Sequence, residues 1–333
     1  MDNLIQELIS QYFDENMENA ESVPFGITNY TQKVTVNNQK YIARIYDSHS
    51  KNVERLKFEI ELMSFLEQQN LSFQVPGFVT SKRKENFVQL SNGQLGSIVN
   101  FIEGEAPDLS RDSDVKEYGR SVGELSKALS HFATELIQPE IKFYDLNSLH
   151  PLCNERSVSQ FFERPPFDID NNHFRLLMNT YHSIPKYRSG LDRLPKQIIH
   201  HDLLIFNLLI DRELRKMNGI LDFDFASNDV RALELAICLN HLLQTKDSDF
   251  SNVEIFLEEY SRSMELTNEE IQWIPYLMQM YYVSLLCIYI GQHYSGRDIV
   301  EYFQFILNQW VIRRQWMGQH EIELVKILKS KLL

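Results

Sequence analysis

The chain has 333 residues, 43% hydrophobic and 24% charged, which is the composition of a folded globular chain with a sizeable core and excludes a disordered one. Its formal charge of −13, from 33 basic and 46 acidic residues, repels nucleic acid and anionic lipid, so neither is expected as a partner. The three cysteines, Cys153, Cys238 and Cys287, are far apart and form no CxxC pair, which argues against a disulfide framework or zinc site and points to a reducing, cytoplasmic compartment.

Residues 1–15 read as an amphipathic helix, and Asp2 and Glu7 stand where a secretory leader would be basic. Two strands follow, QKVTV at 32–36 and KYIARIY at 40–46, joined at Asn37 and Asn38, which tolerate the positive φ of a hairpin turn. Residues 53–69 have helical spacing, with Leu56, Ile60, Met63 and Leu66 on one face. Further short strands are expected at 78–79, 87–90 and 97–102. The remainder reads as helix over 113–131, 156–163, 171–183, 230–245, 251–264, 267–293, 297–315 and 319–331. Thr267 and Glu270 form a capping box at the start of one of these helices. The longest apolar run, 278–290, is too short to span a bilayer and is broken by Gln279 and Ser284, so it reads as a buried core helix. The expected class is α+β and bilobal: a small β-rich lobe with one main helix over 1–102, and a large, mostly helical lobe over 103–333. A cleft between two lobes is a natural place for a ligand.

One stretch differs from its surroundings. Residues 198–207 read IIHHDLLIFN, and GILDFD follows at 219–224. Both polar clusters are bracketed by short apolar runs, as in two short strands with a polar loop between them. An Asp, an Asn five residues later and a second Asp after the next strand can serve phosphoryl transfer. One carboxylate orients a hydroxyl nucleophile and accepts its proton, while the other, with the amide, offers hard oxygens to Mg²⁺.

The pattern H-x-D-x-x-x-x-N, followed by a strand ending in I/L-D-F, resembles the aminoglycoside phosphotransferase, choline/ethanolamine kinase and homoserine kinase group, whose fold is protein-kinase-like. His200, Asp202, Asn207 and Asp222 match it in order and spacing. The resemblance implies an ATP- and Mg²⁺-dependent kinase acting on a hydroxyl of a small molecule. It assigns Asp202 as catalytic base, Asn207 and Asp222 as Mg²⁺ ligands, and His200 as a brace for the loop. FGITN at 25–29, with Gly26, Thr28 and Asn29, is similar to the nucleotide-covering hairpin of the group. YIARIY at 41–46 is similar to its third strand, with Arg44 at the phosphate-binding position, Glu59 as its ion-pair partner and Glu61 as the alternative. Residues 100–103, with Asn100 and Ile102, stand where the adenine hinge would be. The resemblance covers roughly residues 20–245.

The sequence also departs from the group. Leu204-Ile205-Phe206 replaces a His-Pro-Gly-like segment, His201 stands where Gly is common, and Glu234 stands where Asp is usual. FDFASND at 223–229 and LAICLN at 235–240 look most like the homoserine kinase branch, while Gly26, Thr28, Asn29 and Arg44 suit choline or ethanolamine kinases as well. A small amino alcohol is the first expectation for the substrate and an aminoglycoside-type antibiotic the second. Asp224, Asp229 and Glu234 are candidates to hold its amine. Blander readings exist beside these. Arg44 could be a surface charge, Asp224 structural, His201 cleft-facing or solvated, and Trp273, Tyr276, Tyr281 and Tyr282 core residues and not an ammonium cage. A non-catalytic kinase-like binding protein is the reading from another class. Retention of Asp202, Asn207 and Asp222 together argues against it. A kinase acting on proteins is disfavoured, because the short interval from Asp222 to the helix expected at 230 leaves no room for an activation segment.

Overall fold

The structure is a computed structural model that describes residues 2–23, 29–47, 51–136, 141–244 and 250–333. The chain divides into two compact units. The first comprises Met1–Pro107, His131–Gln138 and Ile205–Asp224, and the second Asp108–Ser130, Pro139–Leu204 and Phe225–Leu333.

The first unit is built on an antiparallel sheet of β1 (Asn19–Ser22), β2 (Tyr30–Val36), β3 (Gln39–Ile45), β4 (Val88–Gln89) and β5 (Leu95–Asn100), in the order β1-β2-β3-β5-β4. The β2–β3 turn is the expected one, with Asn37 and Asn38 both at positive φ (51° and 57°). Strand alternation directs Val34, Val36, Ala43, Ile45 and Ile98 to one side, where Ile5, Leu8, Ile9 and Tyr12 of α1 (Asp2–Tyr12) cover them. Helix α2 (Val53–Glu67) follows, capped by Asn52, whose side chain accepts the Arg55 amide at 2.9 Å. A cut of the chain at 102/103 does not reproduce this unit, because the hairpin of β7 (Leu208–Ile210) and β8 (Met217–Ile220) packs with it. Single bridges Gln74–Gly219 and Glu105–Ile210 and the Arg215–Glu105 ion pair (2.5 Å) hold it there.

The second unit is mostly helical: α3 (Asp112–Leu129), α4 (Glu155–Glu163), α5 (Asn171–Ser183), α6 (Arg188–Arg193), α7 (Ala232–Leu242), α8 (Ser251–Tyr260), α9 (Asn268–Tyr294) and α10 (Val300–Leu332). Its two-stranded sheet pairs β6 (Lys196–Ile199) with β9 (Ser227–Val230). The backbones of α3 and α8 touch at Gly119 and Gly123. A Cβ at Gly119 would lie 2.2 Å from the Phe256 carbonyl oxygen, and one at Gly123 would lie 2.8 Å from that of Tyr260. Helix α9 has the expected capping box of Thr267 and Glu270. It is long and apolar enough to cross a membrane, but 78% of its apolar window is buried against its neighbours, as in a core helix.

Several expected elements differ. Residues 78–79 make one bridge, Phe78–Val99, not a strand. Residue 230 closes β9, and the helix begins at Ala232. The helices expected at 297–315 and 319–331 are one, α10, since Gly318 costs only about 1 kcal/mol in a helix held on both sides. Strand β1 and helix α6 carry no periodic signal and were not expected.

Candidate active site

In the first unit, the β7–β8 hairpin explains why two motif residues meet. Leu208 pairs with Ile220, and the Leu221 amide donates to the Asn207 carbonyl at 2.8 Å, so Asn207 and Asp222 flank the same end of the hairpin. Asp222 holds φ +61°, a conformation that non-glycine residues rarely adopt. Around it lies a cluster of buried charges. Lys51 ion-pairs with Glu59 and with Asp224 (2.9 Å), Arg44 reaches Glu59 at 3.5 Å, and Asn29 donates to the other oxygen of Asp224. Burial, then the charge of Asp224, raises the Asp222 carboxyl to about 6 against the pull of Arg44. Burial alone would raise Asp224 too, but Lys51 and Arg44, with hydrogen bonds from Lys51 and Asn29, take it well below the ordinary range. Burial also raises Glu59, opposed chiefly by Lys51.

In the second unit, residues 200–204 leave β6 as a braced loop. His200 is fully buried. Its Nδ1 accepts the Asp202 amide at 3.2 Å, and its own amide donates to the Glu234 carboxylate. The Leu204 amide returns to the Asp202 carbonyl at 2.8 Å, and the Tyr118 hydroxyl of α3 donates to the Leu203 carbonyl at 2.5 Å. His201 takes φ +68°, and its ring stacks on Phe143 at 4.5 Å between centroids. Its Nδ1 lies 3.0 Å from the Phe225 carbonyl and its Nε2 3.1 Å from Asp229. The Asp202 side chain is half-buried, and its charge helps raise the phenols of Tyr281 and Tyr289 on α9, burial being the larger cause for both.

Residues 19–264 match the model of a family described as the phosphotransferase enzyme family. The chain belongs to this family. It is 25% identical over 338 residues to the homoserine kinase of Methylobacillus flagellatus, covering 95% of this chain and 97% of that one. It is 24% identical over 277 residues to the homoserine kinase of Zymomonas mobilis, covering 81% and 80%. Among solved structures, the microcompartment-associated aminopropanol kinase superposes with a TM-score of 0.69 at 14% identity, covering 98% of this chain and 99% of that one. Choline kinase LicA from Streptococcus pneumoniae does so with 0.66 at 16% identity, covering 96% and 99%. The fold is therefore the kinase-like one of these phosphotransferases, and the chain is a small-molecule kinase of a family that uses a nucleoside triphosphate.

The first unit of this phosphotransferase brings together Asn29, Arg44, Glu59, Asn207, Asp222 and Asp224. Gly26 and Thr28 lie outside the described residues. Arg44 is largely buried in the charge cluster and is not a surface charge. Glu61, the alternative partner, instead accepts from Thr134 at 2.9 Å. Asn100 ends β5, its amide donating to the Gly77 carbonyl at 2.9 Å, and Ile102 is buried against Gly219. Three residues differ from expectation. Asp229 and Glu234 are 0% and 1% exposed: Asp229 accepts from the Phe143 amide and meets the His201 ring, and Glu234 accepts from the His200 amide, so both carboxylates are turned into the protein. His201 is 1% exposed, neither cleft-facing nor solvated, because both ring nitrogens have buried oxygen partners. Asp224 is committed to Lys51 and Asn29. Sequence reasoning missed Lys51, Tyr118 and Phe143. A positive charge just before the Asn52 cap was the sole signal for Lys51, and it is a common surface pattern.

Proposed function

We propose that this phosphotransferase transfers the γ-phosphate of ATP, with Mg²⁺, to the hydroxyl of a small amino alcohol of the homoserine, choline or ethanolamine kind. The likeness to homoserine kinases along nearly the whole chain carries the choice of substrate class. Solved neighbours that include choline and ethanolamine kinases agree with it.

In this reading the acceptor hydroxyl attacks the γ-phosphorus, the new O–P bond forms as the bond to the β-phosphate oxygen breaks, and the hydroxyl proton passes to Asp202. ADP and the phosphate ester leave. Asp202 is aimed by the hydrogen bond that its backbone amide donates to His200 Nδ1, while Glu234, Asp229, His201 and Tyr118 brace the loop. The donor set at Asn207 and Asp222 suits Mg²⁺: hard oxygens at one end of a hairpin, with Asp222 raised by burial and by Asp224, a repulsion that a divalent cation relieves. Bound there, Mg²⁺ would neutralise phosphate charge. In this reading Arg44 and Lys51, both paired with Glu59, would meet the remaining phosphate oxygens. By their likeness to the group, Gly26, Thr28 and Asn29 would cover the nucleotide, and Asn100 and Ile102 would lie along its adenine. With Asp229 and Glu234 turned inward and Tyr281 buried against Phe143, the acceptor's ammonium is left to the Asp202 field and to the half-buried ring of Tyr289.

The test is ADP release with Mg-ATP against homoserine, choline, ethanolamine, aminopropanol and several aminoglycosides, wild type beside Asp202→Ala. Turnover on one amino alcohol, lost by at least about 10³-fold in the variant with nucleotide affinity retained, is expected. Unchanged turnover in Asp202→Ala would sink the mechanism. Activity on aminoglycosides alone would move the substrate class. Failure to bind nucleotide would favour a non-catalytic binding protein.

A further inference from the structure

Of the carboxylates in the buried cluster of the first unit, Asp222 is assigned to the metal and Glu59 to Arg44 and Lys51, while Asp224 has no task in the proposed reaction. Both of its oxygens are nonetheless engaged. Oδ1 takes the Lys51 ammonium at 2.9 Å, and Oδ2 takes the side-chain amide of Asn29, whose own carbonyl accepts the Asp47 amide at 3.3 Å. These two donors are the ones that the nucleotide reading gives to ATP, Lys51 for phosphate oxygens and Asn29 for the turn over the nucleotide. An anionic oxygen therefore already sits on each of them, and a carboxylate presents to an ammonium or an amide the same kind of acceptor as a phosphate does.

Burial separates the two partners of Lys51. The Lys51 and Glu59 side chains are 3% and 4% exposed, against 10% for Asp224 and 12% for Arg44. Lys51 is shut in because carboxylates cover its ammonium, and the more exposed of them is Asp224. Moving Asp224 aside uncovers the ammonium without stranding it, because Glu59 still pairs with it. That retained partner matters, since a buried charge left wholly unpaired is costly.

We infer, resting on the nucleotide reading above, that Asp224 is an internal stand-in for phosphate: it occupies Lys51 and Asn29 in the nucleotide-free chain and yields both to the phosphates of ADP or ATP. Asp224 is then a residue that sets nucleotide affinity, and it does not hold the acceptor's amine. The nucleotide has to displace a contact before it gains its own, so the apparent dissociation constant is the intrinsic one divided by the fraction of chains in which Lys51 is free. Glu59 stays on Lys51 throughout.

Calorimetric titration of ADP in the presence of EDTA, which takes metal ligation out of the comparison, tests this on the wild type, Asp224→Asn, Lys51→Met and the double variant, below the lowest of their melting temperatures. Asp224→Asn is expected to bind ADP roughly tenfold more tightly than the wild type. In the Lys51→Met background the same change is expected to gain less than about twofold, because there is no ammonium left to release. An affinity unchanged or weakened by Asp224→Asn would overturn the assignment, and so would equal gains in both backgrounds, which are the mark of plain charge repulsion. A crystal structure of the wild type with ADP depends on no variant. It is expected to show the Lys51 ammonium on a phosphate oxygen, still paired with Glu59 and out of hydrogen-bond reach of Asp224; a Lys51–Asp224 pair intact beside bound ADP would overturn the assignment while leaving the nucleotide reading standing. Failure of all these chains to bind ADP, in EDTA or in Mg²⁺, would end the nucleotide reading and this assignment with it.

Discussion

Lys51 offers the sharpest test of the charge cluster. Its ammonium is 3% exposed and touches two carboxylates, Glu59 at 4% and Asp224 at 10% exposure, so the group is out of reach of solvent screening. Replacing it with Met keeps the aliphatic stem and removes only the charge. Two carboxylates then remain in a buried space with Arg44 as the cation nearest Glu59. Breaking a buried pair by removing one partner costs about 3–5 kcal/mol, because the other charge is left without compensation. At about 2–4 °C per kcal/mol for domains of 150–250 residues, Lys51→Met should melt roughly 10 °C below the wild type. Thermal and urea unfolding of the ligand-free chain measure this. The double variant Lys51→Met/Asp224→Asn should recover part of the loss, since it removes the uncompensated charge, and the coupling should reach at least about 1 kcal/mol. A Lys51→Met chain within about 1 kcal/mol of the wild type, or losses in the two single variants that simply add, would refute the cluster as a coupled unit.

Glu234 gives a pH dependence. Burial raises its carboxyl to about 7, so the folded chain keeps a proton that the unfolded chain has released. Its contribution is full below the unfolded pKa of about 4.5 and is lost as pH rises through 7. Glu234→Gln should flatten that part of the melting-temperature profile between pH 5 and 8. Asp222 sits at about 6 without a bound cation, and a metal requires the deprotonated form, so Mg-nucleotide affinity by calorimetry should fall by up to about tenfold per pH unit below 6. Asp222→Asn should weaken Mg-nucleotide binding and abolish that slope. Tyr118→Phe removes the donor to the buried Leu203 carbonyl, so stability should drop by about 1–2 kcal/mol and kcat should fall with nucleotide affinity unchanged.

What the sequence shows about this fold is what local spacing encodes. His200 to Leu204 lie on one loop, with a single 3-10 turn over Ile205–Asn207 after it, and the two asparagines at 37 and 38 are one turn, so their roles in the backbone can be read without knowing the rest of the chain. The pairing of Leu208 with Ile220 turns a fifteen-residue separation between Asn207 and Asp222 into neighbours, and the apolar runs on either side announce that hairpin. Lys51 is different. Its partner Asp224 lies 173 residues away, and no periodic pattern links them. Strand β9, the polar SNDV, exists because β6 offers it a partner, not because its residues favour extension. Asp229 and Glu234 misled for a related reason. A carboxylate that satisfies a buried amide and one that faces a ligand are the same letter, and only burial separates them.

Two strained residues bear on the site. His201 and Asp222 hold φ of +68° and +61°, where an L side chain costs on the order of 1 kcal/mol relative to glycine. Glycine at 201 would remove that cost, and the surrounding contacts explain why histidine is tolerated. Its ring is fixed by Phe143, Asp229 and the Phe225 carbonyl, contacts that a glycine would not make. The same contacts hold the peptide that precedes Asp202, so the imidazole, with no exposed surface of its own, sets where the next side chain begins. Asp222 is held from the other direction, by the Leu221 bond to Asn207 on one side and by the charge cluster on the other. In each unit a strained residue lies at or beside a motif carboxylate and is over-determined by buried partners, so under the proposed mechanism each acid would need little reorganisation within its own unit.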